Sequence, residues 1–196
     1  MEAAETILSL CLGIGLSAAC GFRVFVPLLI ASLAAHAGHL KLSAGFDWLG
    51  SDAAVIALGI ATVLEIGAYY IPWLDNALDT VATPAAVIAG TLITASVATD
   101  MSPMLKWTLA AIAGGGSAAL VQAGTVLARA ASTATTGGLA NPLLATAELG
   151  GSVGMTLLAI AVPLAAVLVF VGVVGIGGWV IVRRKGKATP PPIPAA

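Results

Sequence analysis

Apolar residues fill long unbroken stretches of this chain, and polar residues gather in short connections between them. The apolar runs cover about Ile7 to Ala37, Ala53 to Ile71, Ala77 to Ala98, Met104 to Ala128 and Leu143 to Val182. A membrane-crossing helix needs about 20 predominantly apolar residues. The last run is too long for one crossing and divides near Pro163. The first is also longer than one perpendicular crossing, and Gly21, Arg23 and Pro27 interrupt it. Proline inside a helix removes a backbone hydrogen bond and kinks it, so a kinked or broken helix is expected there. The pattern predicts an all-α polytopic membrane protein of about six transmembrane helices. Pro72-Trp73-Leu74-Asp75-Asn76 and Thr99-Asp100-Met101-Ser102-Pro103 read as tight turns, and residues 132 to 142, rich in Ser, Thr and Gly, read as a loop able to re-enter the membrane.

Two short strings recur in order. Ser17-Ala18-Ala19 precedes Glu65-Ile66-Gly67, and Ser117-Ala118-Ala119 precedes Glu148-Leu149-Gly150. The turn near Asp100 divides the chain into halves of three spans each, about 5–98 and 104–182. An odd number of crossings per half turns the second copy over, so the expected architecture is a 3+3 inverted repeat about an axis in the membrane plane.

Composition narrows the class. With 59% hydrophobic and 9% charged residues, against roughly 25% charged in ordinary soluble domains, residues 1–186 are expected to form one transmembrane domain. It leaves no room for a soluble catalytic module, and the expectation is a non-enzyme without cofactors. The net charge of -1 gives no case for a nucleic-acid partner; the lipid bilayer is the expected surrounding. Arg183, Arg184, Lys185 and Lys187 follow the last apolar run, which by the positive-inside rule places that end, and with six spans both termini, in the cytoplasm of a cell (inner) membrane. The first apolar stretch lacks the basic leader of a cleaved signal peptide. The proline-rich tail, 187–196, is expected to be disordered and cytoplasmic.

Ionisable residues within spans are costly and mark function. Arg23 lies midway in the first run, and the repeat would bring Glu65 and Glu148 toward it from opposite sides. Those three residues, with Gln122 as the second half's polar counterpart, form the candidate substrate or proton site. The competing reading is an ion pair that locks helices together. Asp75 and Asp79 share one face near the start of the third span, either as caps on the helix dipole or as a cation or proton entry point toward Glu65. Asn141, beside Pro142, marks either a broken-helix substrate contact or an ordinary loop. Cys11 and Cys20 read as small core residues. His36 and His39, with no nearby carboxylate or cysteine, give a weak metal signal, and no metal site is expected. Small residues four apart, Gly13-Ser17-Gly21 and Gly150-Gly154, suit close helix packing or a homodimer interface.

The string Gly15-Leu-Ser-Ala-Ala-Cys-Gly-Phe-Arg23-Val-Phe-Val-Pro27, with Leu64-Glu65 and Tyr69-Tyr70-Ile71-Pro72-Trp73-Leu74-Asp75-Asn76-Ala-Leu-Asp79, resembles a bacterial and plant integral-membrane family catalogued as domain of unknown function 4126. The resemblance implies a small polytopic membrane protein and assigns no reaction or site residue. From the residues themselves, the leading expectation is a small carrier with a midplane polar site for an unknown small molecule, ion or lipid, with a glutamate exchanging a proton. A lipid flippase or channel-like pore and a non-transporting scaffold are the alternatives. The orientation has a direct test: in a chain lacking Cys11 and Cys20, a cysteine at Ser43 in the 38–52 connection should react with an impermeant thiol reagent added outside the cell. Reaction only after permeabilisation would reverse the orientation.

Overall fold

The computed structural model describes residues 2–185, without the side chains of residues 2, 72, 73, 75–77, 79, 180, 181, 184 and 185. The expected tail, 187–196, lies outside the described residues. The first apolar run folds as two helices, α1 (Glu2–Cys20) and α2 (Phe25–His36). Gly21 to Val24 form the break between them. Pro27 sits in the first turn of α2, where a missing N–H costs least. A 3-10 turn (Asp47–Gly50) leads into α3 (Asp52–Ala68), capped by Ser51, and α4 (Pro72–Val97) follows.

The fourth run is a composite. Helix α5 (Pro103–Leu109) passes through a π-helical segment (Ala110–Gly115) into α6 (Gly116–Thr136). Helix α6 continues through the region expected to be a loop and stops at Gly137, whose left-handed backbone (φ 65°) forms the cap. Helices α7 (Asn141–Ala161) and α8 (Pro163–Lys185) meet at Val162-Pro163. No strand occurs among the described residues. By length and apolarity alone, Ala3–Cys20, Thr80–Val97, Pro103–Thr136 and Asn141–Ala161 can each cross a membrane. Phe25–His36 and Pro163–Trp179 are shorter apolar helices. The protein is thus an all-helical membrane protein with several spans and, as expected, a broken first run.

The second half of α1 is the core. Leu16, Ser17, Ala18, Ala19 and Cys20 are completely buried, because α4, α6, α7 and α8 all pack against this helix. Small residues permit it. A Cβ on Gly13 would lie 2.7 Å from Thr94 Cγ2, and one on Gly15 would lie 2.8 Å from Ala159 Cβ and 2.9 Å from Ala166 Cβ. Such close approaches let polar groups bond across helices in an apolar interior. Thr94 Oγ1 donates to Gly13 O (3.0 Å), Ser152 Oγ donates to Ala19 O (3.1 Å), and Ser17 Oγ donates to Gly114 O in the π segment. Gly150 and Gly154 differ from these: an added Cβ would meet nothing within 4 Å at either, so that pair mediates no helix contact within the chain.

The 38–51 connection folds back onto the end of α4. Ser43 is buried there, which makes it a poor labelling position: its N–H donates to Ser96 O (2.7 Å) and its Oγ to Ala95 O (2.8 Å). The neighbouring Ala44 is exposed and is the position at which the labelling test should be done. The packing also predicts a contrast between glycines. Gly90→Ala places a methyl group 2.7 Å from Ala118 Cβ and should cost about 1–3 kcal/mol, as overpacking does. Gly59→Ala meets nothing within 4 Å and should leave stability unchanged or slightly raised. Thermal unfolding of the two purified variants in one detergent checks the difference.

Candidate functional site

The site begins at the break in the first run. Ending α1 at Cys20 and starting α2 at Phe25 leaves Arg23 on a short connection inside the protein, and leaves the first amides of α2 without helical partners. Glu65 on α3 supplies those partners. Its Oε1 accepts from Val24 N (2.7 Å) and its Oε2 from Phe25 N (3.0 Å). A carboxylate suits this position because it meets both the orphan amides and the positive end of the helix dipole.

Arg23 turns to the second half of the chain. It is 2% exposed, its Nη2 donates to Ala145 O (2.9 Å), and the same nitrogen lies 3.3 Å from Glu148 Oε2. Glu148 is 7% exposed and is held by a second arginine, Arg129, also 2% exposed. Arg129 Nε donates to Glu148 Oε1 (3.1 Å), while its Nη2 pairs with Oε2. This two-point fork matches guanidinium to carboxylate geometry. Local structure explains why the pair meets. Arg129 lies seven residues before the end of α6 and Glu148 seven residues after the start of α7. The hairpin of α6 and α7 therefore brings them level, about two turns from the connection.

Tyr69, at the end of α3, completes the cluster. The Arg23 guanidinium carbon stands 3.7 Å from its ring centroid and that of Arg129 4.5 Å, so one buried ring faces two cations. Tyr70 anchors the same turn, its hydroxyl 2.9 Å from Thr146 Oγ1 on α7. The Nε and Nη1 of Arg23 have no hydrogen-bond partner among the described residues. Two guanidinium groups thus share one carboxylate, while the other carboxylate, Glu65, serves the α2 amides.

Of the residues singled out in the sequence, Arg23 and Glu148 are in contact. Glu65 bonds to the backbone immediately after Arg23. Gln122 is buried on α6 two turns before Arg129, and Asn141 is buried at the start of α7 two turns before Glu148; they flank the cluster along its two helices. Asp75 and Asp79 fall in the first turns of α4, and their side chains lie outside the described residues.

Arg129, well inside α6, and Tyr69, just after α3, are the two members of the cluster that the sequence does not single out. A signal for Arg129 was available. Gln122, Thr125, Arg129 and Ser132 recur three and four residues apart and form one polar face, which α6 buries.

An apolar groove of about 510 Å³ runs between α6, α7 and α8, and Glu148 is on its wall. Arg23 and Arg129 do not line it. A second, smaller groove of about 320 Å³ shares Phe22, Val121 and Val173 with the first.

The cluster makes a stability prediction. Glu148→Gln leaves two buried guanidinium groups without an anion and should cost about 3–5 kcal/mol. Adding Arg129→Gln should recover part of that loss, so the two changes together cost less than their sum. Thermal unfolding of the single and double variants measures the coupling. Glu65→Gln keeps an acceptor for one α2 amide and should cost about 1 kcal/mol.

Neither a curated protein nor a solved structure matches the chain. A family model described as a domain of unknown function (DUF4126) matches residues 10–183, which spans the broken first run, both glutamate helices and the arginine cluster. The chain belongs to the DUF4126 family.

Proposed function

We propose that this protein is a small membrane carrier, not an enzyme, and that it recognises an anion at Arg23 and Arg129 and couples its movement to a proton on Glu148. One observation carries the reading: two buried arginines share a single buried carboxylate, and two nitrogens of Arg23 have no hydrogen-bond partner among the described residues. A buried charge group is a poor source of stability, and the second carboxylate near Arg23, Glu65, is committed to the α2 amides rather than to either guanidinium. The buried group gains a purpose if an anion enters. Protonation of Glu148 would release the arginine fork to the incoming anion, and departure of the anion would return Glu148 to it. Charge in the interior then changes little through the cycle.

The element order supports a two-half carrier of the inverted-repeat kind. In each half a long first run, broken in α1–α2 and continuous through the π segment in α5–α6, carries a Ser-Ala-Ala string and precedes a glutamate helix, α3 or α7, and then one further helix, α4 or α8. Discontinuous helices beside the polar cluster fit the way transporters expose backbone to substrate. The grooves beside the cluster are apolar rather than a polar lining, which disfavours a channel-like pore. The second reading is a scaffold, favoured by the near-complete burial of Arg23, Arg129 and Glu148 in mutual contact. A lipid flippase would use the same architecture.

Proteoliposomes with a pH dye in the lumen separate these readings. Phosphate, succinate and octyl sulfonate, which do not cross a bilayer unaided as neutral acids, are added outside at constant pH. At least one should drive proton entry into wild-type vesicles at least ten times faster than into vesicles with Arg23→Gln or Arg129→Gln. Equal rates for wild type and variants, or none above empty vesicles, would leave the scaffold.

A further inference from the structure

We infer that the groove between α6, α7 and α8 is a binding site for the hydrocarbon chain of a single-chain carboxylic acid, which enters sideways from the bilayer and presents its carboxylate to the two arginines. This rests on the anion-site reading and names its ligand class. Among the described residues that line the larger groove, only Thr125 and Glu148 carry polar side chains; the remainder, such as Leu127, Leu144 and Val173, are apolar or small. The volumes, about 510 and 320 Å³, match a pocket for one small amphiphile, in the range of roughly 300–1,000 Å³. They do not suit a two-chain phospholipid.

The glycines of the groove leave room for such a chain. Glycine is a poor helix former, and at Gly13, Gly15, Gly90 and Gly114 close neighbours account for its presence. At Gly124, Gly177 and Gly178, which line the larger groove, and at Gly154, which lines the smaller, an added Cβ would meet nothing within 4 Å. Packing within the chain requires neither these four glycines nor Gly59, Gly67, Gly116, Gly150, Gly172 and Gly175, which line neither groove. What the four leave is space along the groove.

Charge complementarity selects the head group. Glu148 is the carboxylate on the groove wall, and it pairs with Arg23 and Arg129, which both contact the Tyr69 ring. The arginines already hold a carboxylate in a fork, so a ligand carboxylate can take the same place. The exchange balances: the acid arrives neutral, its O–H bond breaks, the proton passes to a Glu148 oxygen, and the new carboxylate takes the arginine fork. No net charge crosses the apolar wall, where an ion would be expensive.

The test uses the full-length protein in detergent, with laurate, acetate and phosphatidic acid as probes and thermal unfolding as the readout. Laurate should raise the wild-type midpoint, and acetate at the same concentration should not. Gly124→Leu and Gly178→Leu fill the groove without touching the ion cluster. Each should fold with an unliganded midpoint near wild type and bind laurate at least ten-fold more weakly. Glu148→Gln, which lacks the competing carboxylate, should gain more from laurate than wild type does.

Wild-type protein bearing a diazirine-tagged fatty acid provides a second measurement that needs no variant. Photolysis should attach the tag to α6 and α8 near Leu127, Val173 or Val174. Unchanged laurate binding in both groove-filled variants, tagging confined to other helices, or stabilisation by phosphatidic acid equal to that by laurate would each overturn the groove assignment. Anion-driven proton entry by phosphate or succinate could still stand in that event, and would show that only the ligand class is wrong. Laurate binding without any anion-driven flux would instead retire the carrier reading and keep the groove.

Discussion

The sharing of Glu148 by two buried arginines constrains everything around it. A lone guanidinium inside an apolar helical protein would be expensive by several kcal/mol, and here Arg23 and Arg129 come from opposite halves of the chain to one carboxylate. For Arg23 to reach it, the first run must break between Cys20 and Phe25. That break exposes the amides of α2, which Glu65 then satisfies. For Arg129 to reach it, α6 and α7 must form a hairpin with equal lengths on either side of the turn at Gly137. Broken helix, cap and hairpin are thus consequences of one ionic arrangement.

Small residues in α1 make the arrangement possible. Without Gly13 and Gly15, α4, α7 and α8 could not approach the same helix, and the serine and threonine hydroxyls that bond across these contacts would be left unsatisfied in a medium with no water to replace them. The polar groups of the core are therefore spread along α1 and meet at its broken end. The Tyr69 ring lies within cation–π distance of both guanidinium groups and offsets part of the hydration they lost.

Most helices were legible in the sequence because apolar runs of membrane length have few alternative folds; the stretch Pro72 to Asn76, expected to be a turn, instead opens α4, where proline fits the first helical turn. An interruption near Gly21 and Arg23 was legible from residue type; it spans Gly21 to Val24, and Pro27 lies inside α2 instead of in the break. Arg23 and Glu148 could be singled out because an ionised group in such a run needs a partner. Glu65 could be singled out for the same reason, but its partner could not: it bonds to backbone amides that exist as donors only because α2 begins at Phe25. Arg129 was not singled out because the Ser/Thr-rich stretch after it resembles a loop, whereas Ser132, Thr135 and Thr136 return hydrogen bonds to α6 itself and let the helix run on to Thr136. The groove was not legible at all. Its glycines are indistinguishable in sequence from those that mediate close contacts, and only coordinates separate open space from crowding.

The central claim is that the arginine fork exchanges its own carboxylate for one that arrives with a ligand. Infrared difference spectroscopy on the purified protein observes this directly, since a protonated carboxylic acid and a carboxylate absorb at well-separated frequencies. Adding laurate labelled with carbon-13 at its head should produce an unlabelled protonated-acid band and a labelled carboxylate band in the wild type. The first band should be absent from Glu148→Gln. Laurate that binds with no unlabelled acid band, leaving Glu148 ionised between Arg23 and Arg129, would contradict the account and return the cluster to a purely structural role.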